Sequence, residues 1–570
     1  MKKHAGPHTR RDLLVLAVVC IITFFVHNRV IYPDIMEARN IVAAREMAGE
    51  GHWLSPTMNG EPRLEKPPLP TWITALAESA APGSLALERG AAGAAAVVLV
   101  FFFYAFAVGM RFPRPLISTL LLCTCYNLVL MGRTASWDIY CHAFMLGAIF
   151  FLSRALRAPQ CRWGDFVAGG VMAGLSLLSK GPVSLYALLL PFLLSWALCF
   201  RTPMRGKRAA AAVAVAVMLA VGLWWYLYLW LSDPGTLAAV AGKESGAWMS
   251  HNVRPWWYYW TFPGETGVWA LLLPTALLLP LWAKEVRRDR NYLFPVLWMA
   301  AMLVLLSLLP EKKNRYLLPV LIPASYAMGY LAAWWNERFR QGTASGADRW
   351  SFRINAWTVT LAVAATVPAA WLFLRRPGHI PLPAFVLLCA AVAVAVSALG
   401  RAAVRLRPFA TVGWVAGLFL AAECFALPLM RPLFNNPRMK SIAETCEVEA
   451  LDGVPFYHDL RSPLRIELVY AAGRKIRPLN LSDAEALQGV LPCALLTHRR
   501  VGEVLPGSVW SQVDSLYVGR YDDNRWAPTH RRYSDDFRYH VTLLTAKPRA
   551  GEGERRRERE PGKVPAERAR

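Results

Sequence analysis

Asp34-Ile-Met-Glu37-Ala-Arg39, Trp53-Leu-Ser-Pro56-Thr-Met-Asn59-Gly60 and Glu65-Lys66-Pro67-Pro68-Leu69-Pro70 stand in close succession near the start of the chain. They follow one apolar span, Leu13 to Val30, and precede many more. Carboxylates, cations and a rigid proline run therefore lie just outside the first membrane crossing. A dense polar constellation at a bilayer surface points to chemistry on something that lives in that bilayer.

Composition supports the membrane setting. The chain has 570 residues, 55% of them hydrophobic, and 23 Trp. Apolar runs of about 18 or more residues read as membrane helices. Thirteen are expected, at 13–30, 90–110, 115–131, 139–156, 166–180, 183–200, 209–231, 264–282, 291–309, 317–335, 354–374, 382–399 and 408–430. The fold class that follows is a polytopic α-helical membrane protein with a C-terminal α/β domain.

A net charge of +24 invites a nucleic-acid partner, but the distribution of the charge excludes one. Basic residues collect in alternate short loops, such as Arg111/Arg114, Arg154/Arg157/Arg162 and Arg201/Arg205/Lys207/Arg208. This is the positive-inside pattern. It predicts a multi-pass protein with a cytoplasmic N-terminus and, with thirteen spans, everything after Met430 outside. The first span lacks a small-residue cleavage site, so it reads as an anchor.

Three parts are expected. Residues 1–430 form the helical domain, with long external loops at 31–89 and 232–263. Residues 431–547 carry short alternating segments, Val454–Leu460, Ile466–Ala471, Ala494–His498, Ser515–Val518 and Tyr539–Leu544, which read as strands. Ser482-Asp-Ala-Glu485 reads as a capping box opening a short helix. Residues 548–570, nearly all Arg, Glu, Gly and Pro, read as disordered. An amphipathic helix at about 36–48, with Ile41, Val42, Ala44 and Met47 on one side, suits the headgroup plane. Of ten cysteines, only Cys446 and Cys493 fall in the C-terminal region, where a disulfide between them is an open alternative.

The candidate chemistry is concentrated in a few residues. Asp34 and Glu37 lie one helical turn apart and can share a face; an N-cap and a solvated Glu are the plainer alternative. Asp138, in Gly132-Arg133-Thr-Ala-Ser-Trp137-Asp138, reads as a short external loop. A charge there is costly, about 3 kcal/mol at a helix centre, and usually functional. Lys180 in Ser179-Lys180-Gly181-Pro182 also falls on the external side, with a snorkelling lysine as the plainer alternative. Glu311-Lys312-Lys313-Asn314-Arg315-Tyr316 places three cations against the charge bias, as a membrane-embedded phosphate would require. The aromatic run Trp256-Trp257-Tyr258-Tyr259-Trp260 reads as an interfacial belt or a groove lining. Glu65 and His251 could hold a zinc ion, although no spacing signature supports it.

These motifs, in this order over residues 10 to about 430, resemble the bacterial lipid A aminoarabinose transferase (ArnT) family. Those are membrane glycosyltransferases of the GT-C type, related to protein O-mannosyltransferases. The resemblance implies inverting transfer of a sugar from undecaprenyl phosphate, on the periplasmic face, to lipid A or another glycolipid or protein acceptor. 4-Amino-4-deoxy-L-arabinose is the sugar it suggests. It implies catalytic acidic positions at Asp34 and Asp138, with Glu37 beside them. Lys66 and Arg315 would bind the donor phosphate, supported by Lys180, Lys312 and Lys313. Glu65 and His251 would be the metal positions, with no cofactor obligatory. Ile35-Met36 depart from the family, where a second acidic residue commonly follows the Asp, so sugar and acceptor stay open. The competing readings are transfer to Ser/Thr in the manner of a protein O-mannosyltransferase, and flipping of a polyprenyl-linked sugar. A flippase should carry charges at mid-membrane and inverted repeats; here the charges lie at span ends.

Overall fold

The computed structural model describes residues 10–250, 252–436 and 438–547, in two compact units, Met1–Asn435 and Asn436–Arg570. The expected disorder of 548–570 lies outside the described residues.

The first unit is helical. It opens with α1 (Arg10–Phe25), α2 (Ile35–Glu50), a two-stranded hairpin of β1 (Thr57–Met58) and β2 (Glu61–Pro62), α3 (Leu69–Ala80) and α4 (Leu85–Met110). A bent pair follows, α5 (Pro115–Cys123) and α6 (Tyr126–Gly132), at 68°. Next come α7 (Trp137–Arg157), α8 (Trp163–Lys180), α9 (Leu190–Phe200), α10 (Arg208–Ser232) and α11 (Pro234–Ser250). The series continues with α12 (Leu272–Leu278), α13 (Arg290–Leu308), α14 (Leu321–Gln341) and α15 (Gly346–Ala364), and ends with Leu382–Val404 and Pro408–Ala421.

Among the described residues eight helices are long and apolar enough to cross a membrane, or ten when each of two bent pairs counts as one span. This is fewer than the thirteen expected. The difference lies in 13–30, 166–180 and 183–200. There α1 has 16 residues, α8 carries Asp165 and Lys180 at its ends, and the apolar helical stretch is only Leu185–Phe200. The most apolar window of Asn314–Gln341 is wholly buried, whereas only 22% of that of Arg208–Ser232 is. The chain thus centres on the helix that follows the Lys312–Arg315 cations. The packing of α8 against α10 is close: a Cβ on Gly222 would come within 2.7 Å of Leu177 Cβ. Small residues at such crossings let backbones approach where lipid supplies no hydrophobic drive.

The loop 31–89 is ordered structure. Asp34 caps α2, its Oδ1 accepting from the amides of Met36 (2.8 Å) and Glu37 (3.0 Å). The amphipathic helix forms, but against protein on several sides: Ile41, Val42, Ala44 and Met47 are buried, and so are Glu37, Asn40 and Glu46. Asn59 and Gly60 turn the hairpin with φ of 58° and 83°. Asn-Gly tolerates this left-handed backbone, which matches strand twist. Glu46 fastens the turn by accepting from Thr57 Oγ1 (2.6 Å) and Gly60 N (3.1 Å).

The second unit holds a five-stranded sheet in the order β4-β3-β5-β7-β6. Strands β3 (Phe456–Asp459), β4 (Ile476–Leu479) and β5 (Cys493–Thr497) are parallel; β6 (Val513–Asp522) and β7 (Arg538–Ala546) are antiparallel. Ile466–Ala471, expected as a strand, lies in a helix, Ile466–Ala472. Its Leu468, Val469 and Ala472 are buried at helical spacing, and Gly473 closes it with φ of 65°. A parallel β3–β4 pair requires such a crossover. The short helix expected after Ser482 starts one residue later, capped by Asp483. Residues 431–435 belong with the helical unit, where Asn435 bonds to Tyr32 N (3.0 Å) and Val30 O (2.9 Å). Cys446 and Cys493 are both free: Cys446 is exposed and bonds the carbonyl of Ala472, while Cys493 is buried in β5.

Candidate active site

Helix ends bring the charges together. Asp138 lies in the first turn of α7, where the helix dipole favours a carboxylate. Lys180 is the last residue of α8, where a cation is favoured. The two helices pack along their lengths, so these ends meet, and Lys180 Nζ donates to Asp138 Oδ1. Asp138 is therefore not in an external loop as expected; it is 1% exposed. Its Oδ2 has no hydrogen-bond partner among the described residues. A buried ion pair with an unspent oxygen is expensive, and such cost gathers at sites that bind or react.

The second wall is Glu311–Tyr316. The loop after α11 holds it in place: Val253 bridges Glu311, Lys312 N donates to Asn252 O (3.2 Å), and Tyr258 Oη donates to Asn314 Oδ1 (2.6 Å). Tyr259, buried, accepts from Lys313 N (3.2 Å). Two of the five residues of the expected aromatic belt, Tyr258 and Tyr259, thus act as a brace, while Trp256, Trp257 and Trp260 stay exposed. Tyr316 is the hub. Its hydroxyl donates to Glu311 (3.0 Å), and its ring centre lies 5.1 Å from Lys180 Nζ, 5.8 Å from Lys313 Nζ and 6.0 Å from the Arg315 guanidinium. Arg315 Nε is buried and has no hydrogen-bond partner among the described residues. Burial works to raise the Glu311 pKa, but the ion pair with Lys313, the Tyr316 hydroxyl and the charge of Arg315 outweigh it, and the carboxyl ends below its usual range. Lys312 turns away from this group: its ammonium donates to the carbonyl of Leu309, and burial lowers its pKa.

The two residues just before Glu65-Lys66 touch both helices near these ends. Arg63 stacks 4.7 Å from the Trp137 ring, next to Asp138. Leu64 packs with Leu178, two residues before Lys180. Half-buried Lys66 follows directly. His251, the other expected metal position, lies outside the described residues. No group of three or more His, Cys, Asp or Glu that could hold a metal occurs among the described residues. The metal expectation therefore rests on Glu65 alone, and no step is derived through a metal.

The first-loop carboxylates divide sharply. Glu37 is 3% exposed and forks onto Arg89, with Nε–Oε1 at 2.8 Å and Nη2–Oε2 at 2.7 Å. It also accepts from Ala135 N (2.9 Å). Both oxygens are spent, so the catalytic assignment of Glu37 is corrected to a structural one. Arg89 in turn binds the carbonyls of Asn28 (2.5 Å) and Ile31 (2.8 Å). Asn40 donates to Ala135 O (3.0 Å), and with Glu37 it sets the 133–136 turn that launches α7. Asp34, one turn before Glu37, is exposed and spends only Oδ1 on its cap.

Tyr316, Arg63 and Arg89 escaped the sequence reading. Tyr316 stood inside the quoted cation run, but nothing in its spacing marks a shared ring. Arg89 lies 52 residues from Glu37.

The chain is similar to several known proteins. The family described as dolichyl-phosphate-mannose-protein mannosyltransferase matches residues 65–225. An undecaprenyl phosphate-alpha-4-amino-4-deoxy-L-arabinose arabinosyl transferase 1 of Pseudomonas fluorescens (strain Pf0-1) is 26% identical over 327 residues, 54% of either chain. The corresponding transferase of Pseudomonas aeruginosa (strain LESB58) is 27% identical over 414 residues, 69% of this chain and 70% of its own. The chain thus matches about half the length of the first relative. In fold it is similar to the crystal structure of ArnT from Cupriavidus metallidurans bound to undecaprenyl phosphate. The TM-score is 0.66 at 17% identity, covering 93% of this chain and 97% of that one. The apo form of the same protein gives 0.65.

Proposed function

We propose that this chain, an ArnT-like membrane glycosyltransferase of the GT-C fold, moves a sugar from undecaprenyl phosphate to a lipid A-type acceptor on the periplasmic face of the inner membrane. The observation that carries this reading is the gathering of Lys180, Lys313 and Arg315 around Tyr316, against a buried, half-spent Asp138.

An acceptor oxygen attacks the anomeric carbon, and a new C–O bond forms there. The old bond to the donor phosphate breaks, and its electron pair leaves with the phosphate. Negative charge therefore builds on a polyprenyl phosphate at the membrane surface. Fixed cations stabilise that charge most when they need not reorganise. Arg315, with its unpaired Nε, forks onto the phosphate; Lys313 and Lys66 add point charges. Asp138 holds Lys180 in place. Asp34, through its unspent oxygen, takes the proton of a hydroxyl acceptor as general base. A lipid A phosphate needs no base, and Asp34 then binds the amino group of the sugar.

The match of residues 65–225 to a protein mannosyltransferase family favours a second reading, transfer to Ser/Thr. Mass spectrometry of lipid A from cells with and without the gene, and with an Asp34→Asn copy, separates the two. Loss of an aminopentose-sized addition, not restored by the Asp34 variant, supports the first. Unchanged lipid A with altered glycoprotein masses supports the second.

A further inference from the structure

At the opposite end of α7 and α8 from Asp138 and Lys180 lies a groove of about 850 Å³, within the range of roughly 300–1,000 Å³ typical of ligand clefts. A 21-residue helix rises about 30 Å, so groove and active site belong to opposite faces of the membrane.

The groove has two chemistries. Its wall, from α1, α4 and α7, is apolar: Leu13, Val98, Phe101, Phe102 and Phe150 line it. The rings are packed together, Phe102 to Phe150 at 5.7 Å, so the wall is stiff. Its rim carries Arg154, Arg157 and Arg162. Arg154 lies 5.5 Å from the Phe150 ring and so joins the two parts. Against three guanidiniums stand two carboxylates. Asp12 bonds the Tyr104 hydroxyl (3.0 Å). Asp165 is shared by Arg154 (3.3 Å) and Arg162 (3.5 Å). Arg157 meets only the carbonyls of Gly109 and Ser153 among the described residues. The rim therefore keeps unmatched positive charge, with Arg162 55% exposed.

We propose that this groove binds an anionic bilayer phospholipid, its phosphate on the three arginines and an acyl chain along the phenylalanines. A free anion would leave the apolar wall unused. A zwitterionic lipid would leave the rim's charge unmatched. Basic pockets between membrane helices on the cytoplasmic side suit anionic head groups, and the charge bias assigns this end to that side.

The test uses the full-length protein, stripped of lipid in non-ionic detergent and examined by native mass spectrometry. Phosphatidylglycerol or phosphatidylcholine of the same chains is added. Wild type should retain phosphatidylglycerol about tenfold better. R154Q/R162Q should lower that preference at least threefold in a monodisperse sample. D165N, which adds net positive charge without touching the apolar wall, should raise it. Equal retention of the two lipids by wild type overturns the proposal, as does an unchanged preference in both variants. Displacement of phosphatidylglycerol by millimolar inorganic phosphate overturns it in favour of a simple anion site. Displacement by equimolar undecaprenyl phosphate overturns it in favour of a carrier site. None of these readouts depends on transfer activity.

Discussion

Replacing Glu37 by Ala should destabilise this protein without disabling the chemistry of the molecules that stay folded. The substitution removes two bonds to Arg89 and one from Ala135 N, at 2.7 to 2.9 Å. It takes from the Arg89 guanidinium, 3% exposed at its side chain, the carboxylate onto which it forks. Breaking one partner out of a buried pair costs about 3–5 kcal/mol, because a buried charge is left unmatched. The orphaned Ala135 amide adds about 1–3 kcal/mol, though the two penalties overlap. A net loss of about 4 kcal/mol lowers the folding equilibrium roughly a thousandfold. The assay is reversible unfolding by SDS in mixed micelles, with turnover counted per folded molecule. E37M/R89M, which removes both charges, should recover at least half of the loss, since partners in contact couple by 0.5–3 kcal/mol in order of magnitude. A Glu37→Ala protein of wild-type stability that has lost all turnover would refute the structural assignment.

Three other substitutions probe the remaining charges. Arg315→Met should lower turnover about 10²- to 10³-fold, the loss typical for a donor aimed at developing charge, with stability nearly unchanged; single-turnover kinetics checks it. Asp138→Asn should stop transfer and destabilise the fold, because Lys180 keeps a buried ammonium; D138N/K180M should regain stability but not transfer, read by the same unfolding and kinetic assays. In the second unit, burial pushes the Asp523 carboxyl up to about 6, against the Ser441 hydroxyl (2.5 Å) and Ile442 amide (2.9 Å) that favour its ionised form. With the pKa raised above its unfolded value, the folded state holds the extra proton. That unit should therefore lose stability as pH rises from about 4 to about 6 and level off above. Hydrogen exchange of β3 and β5, corrected for intrinsic rates, should show this slope in wild type and a flat profile in Asp523→Asn.

Local patterns carried much of this architecture, and distant pairings did not. Apolar runs long enough to span a bilayer are visible wherever they exceed a turn or two beyond 18 residues. Short or glycine-bearing ones such as α8 are not separable from buried helices, because length and hydropathy are all that a run displays. Ile466–Ala471 is apolar and short enough to pass for a strand; what decides it is the parallel pairing of β3 with β4, a non-local fact. Asp34 was legible as a cap, since Ser, Thr, Asp or Asn before an apolar-periodic run is a local signal. The cations around Tyr316 stood out because they break the charge bias. The fate of Glu37 was hidden, because its partner Arg89 sits at the foot of the next long helix. Asp138 and Lys180 were each suspicious alone, yet only the packing of α7 on α8 makes them a pair.

Under the proposed function the Tyr316 cation cluster receives the phosphate of a polyprenyl carrier as its sugar departs. The direct measurement is release of undecaprenyl phosphate from an undecaprenyl phosphate-linked aminopentose. It is followed by mass spectrometry on the purified full-length protein in nanodiscs, with lipid A as acceptor. Undecaprenyl phosphate and aminopentose-bearing lipid A should form in equal amounts, with both reduced at least about a hundredfold by Arg315→Met. Equal release by wild type and the Arg315 variant, or release with no gain of mass by the acceptor, would contradict it.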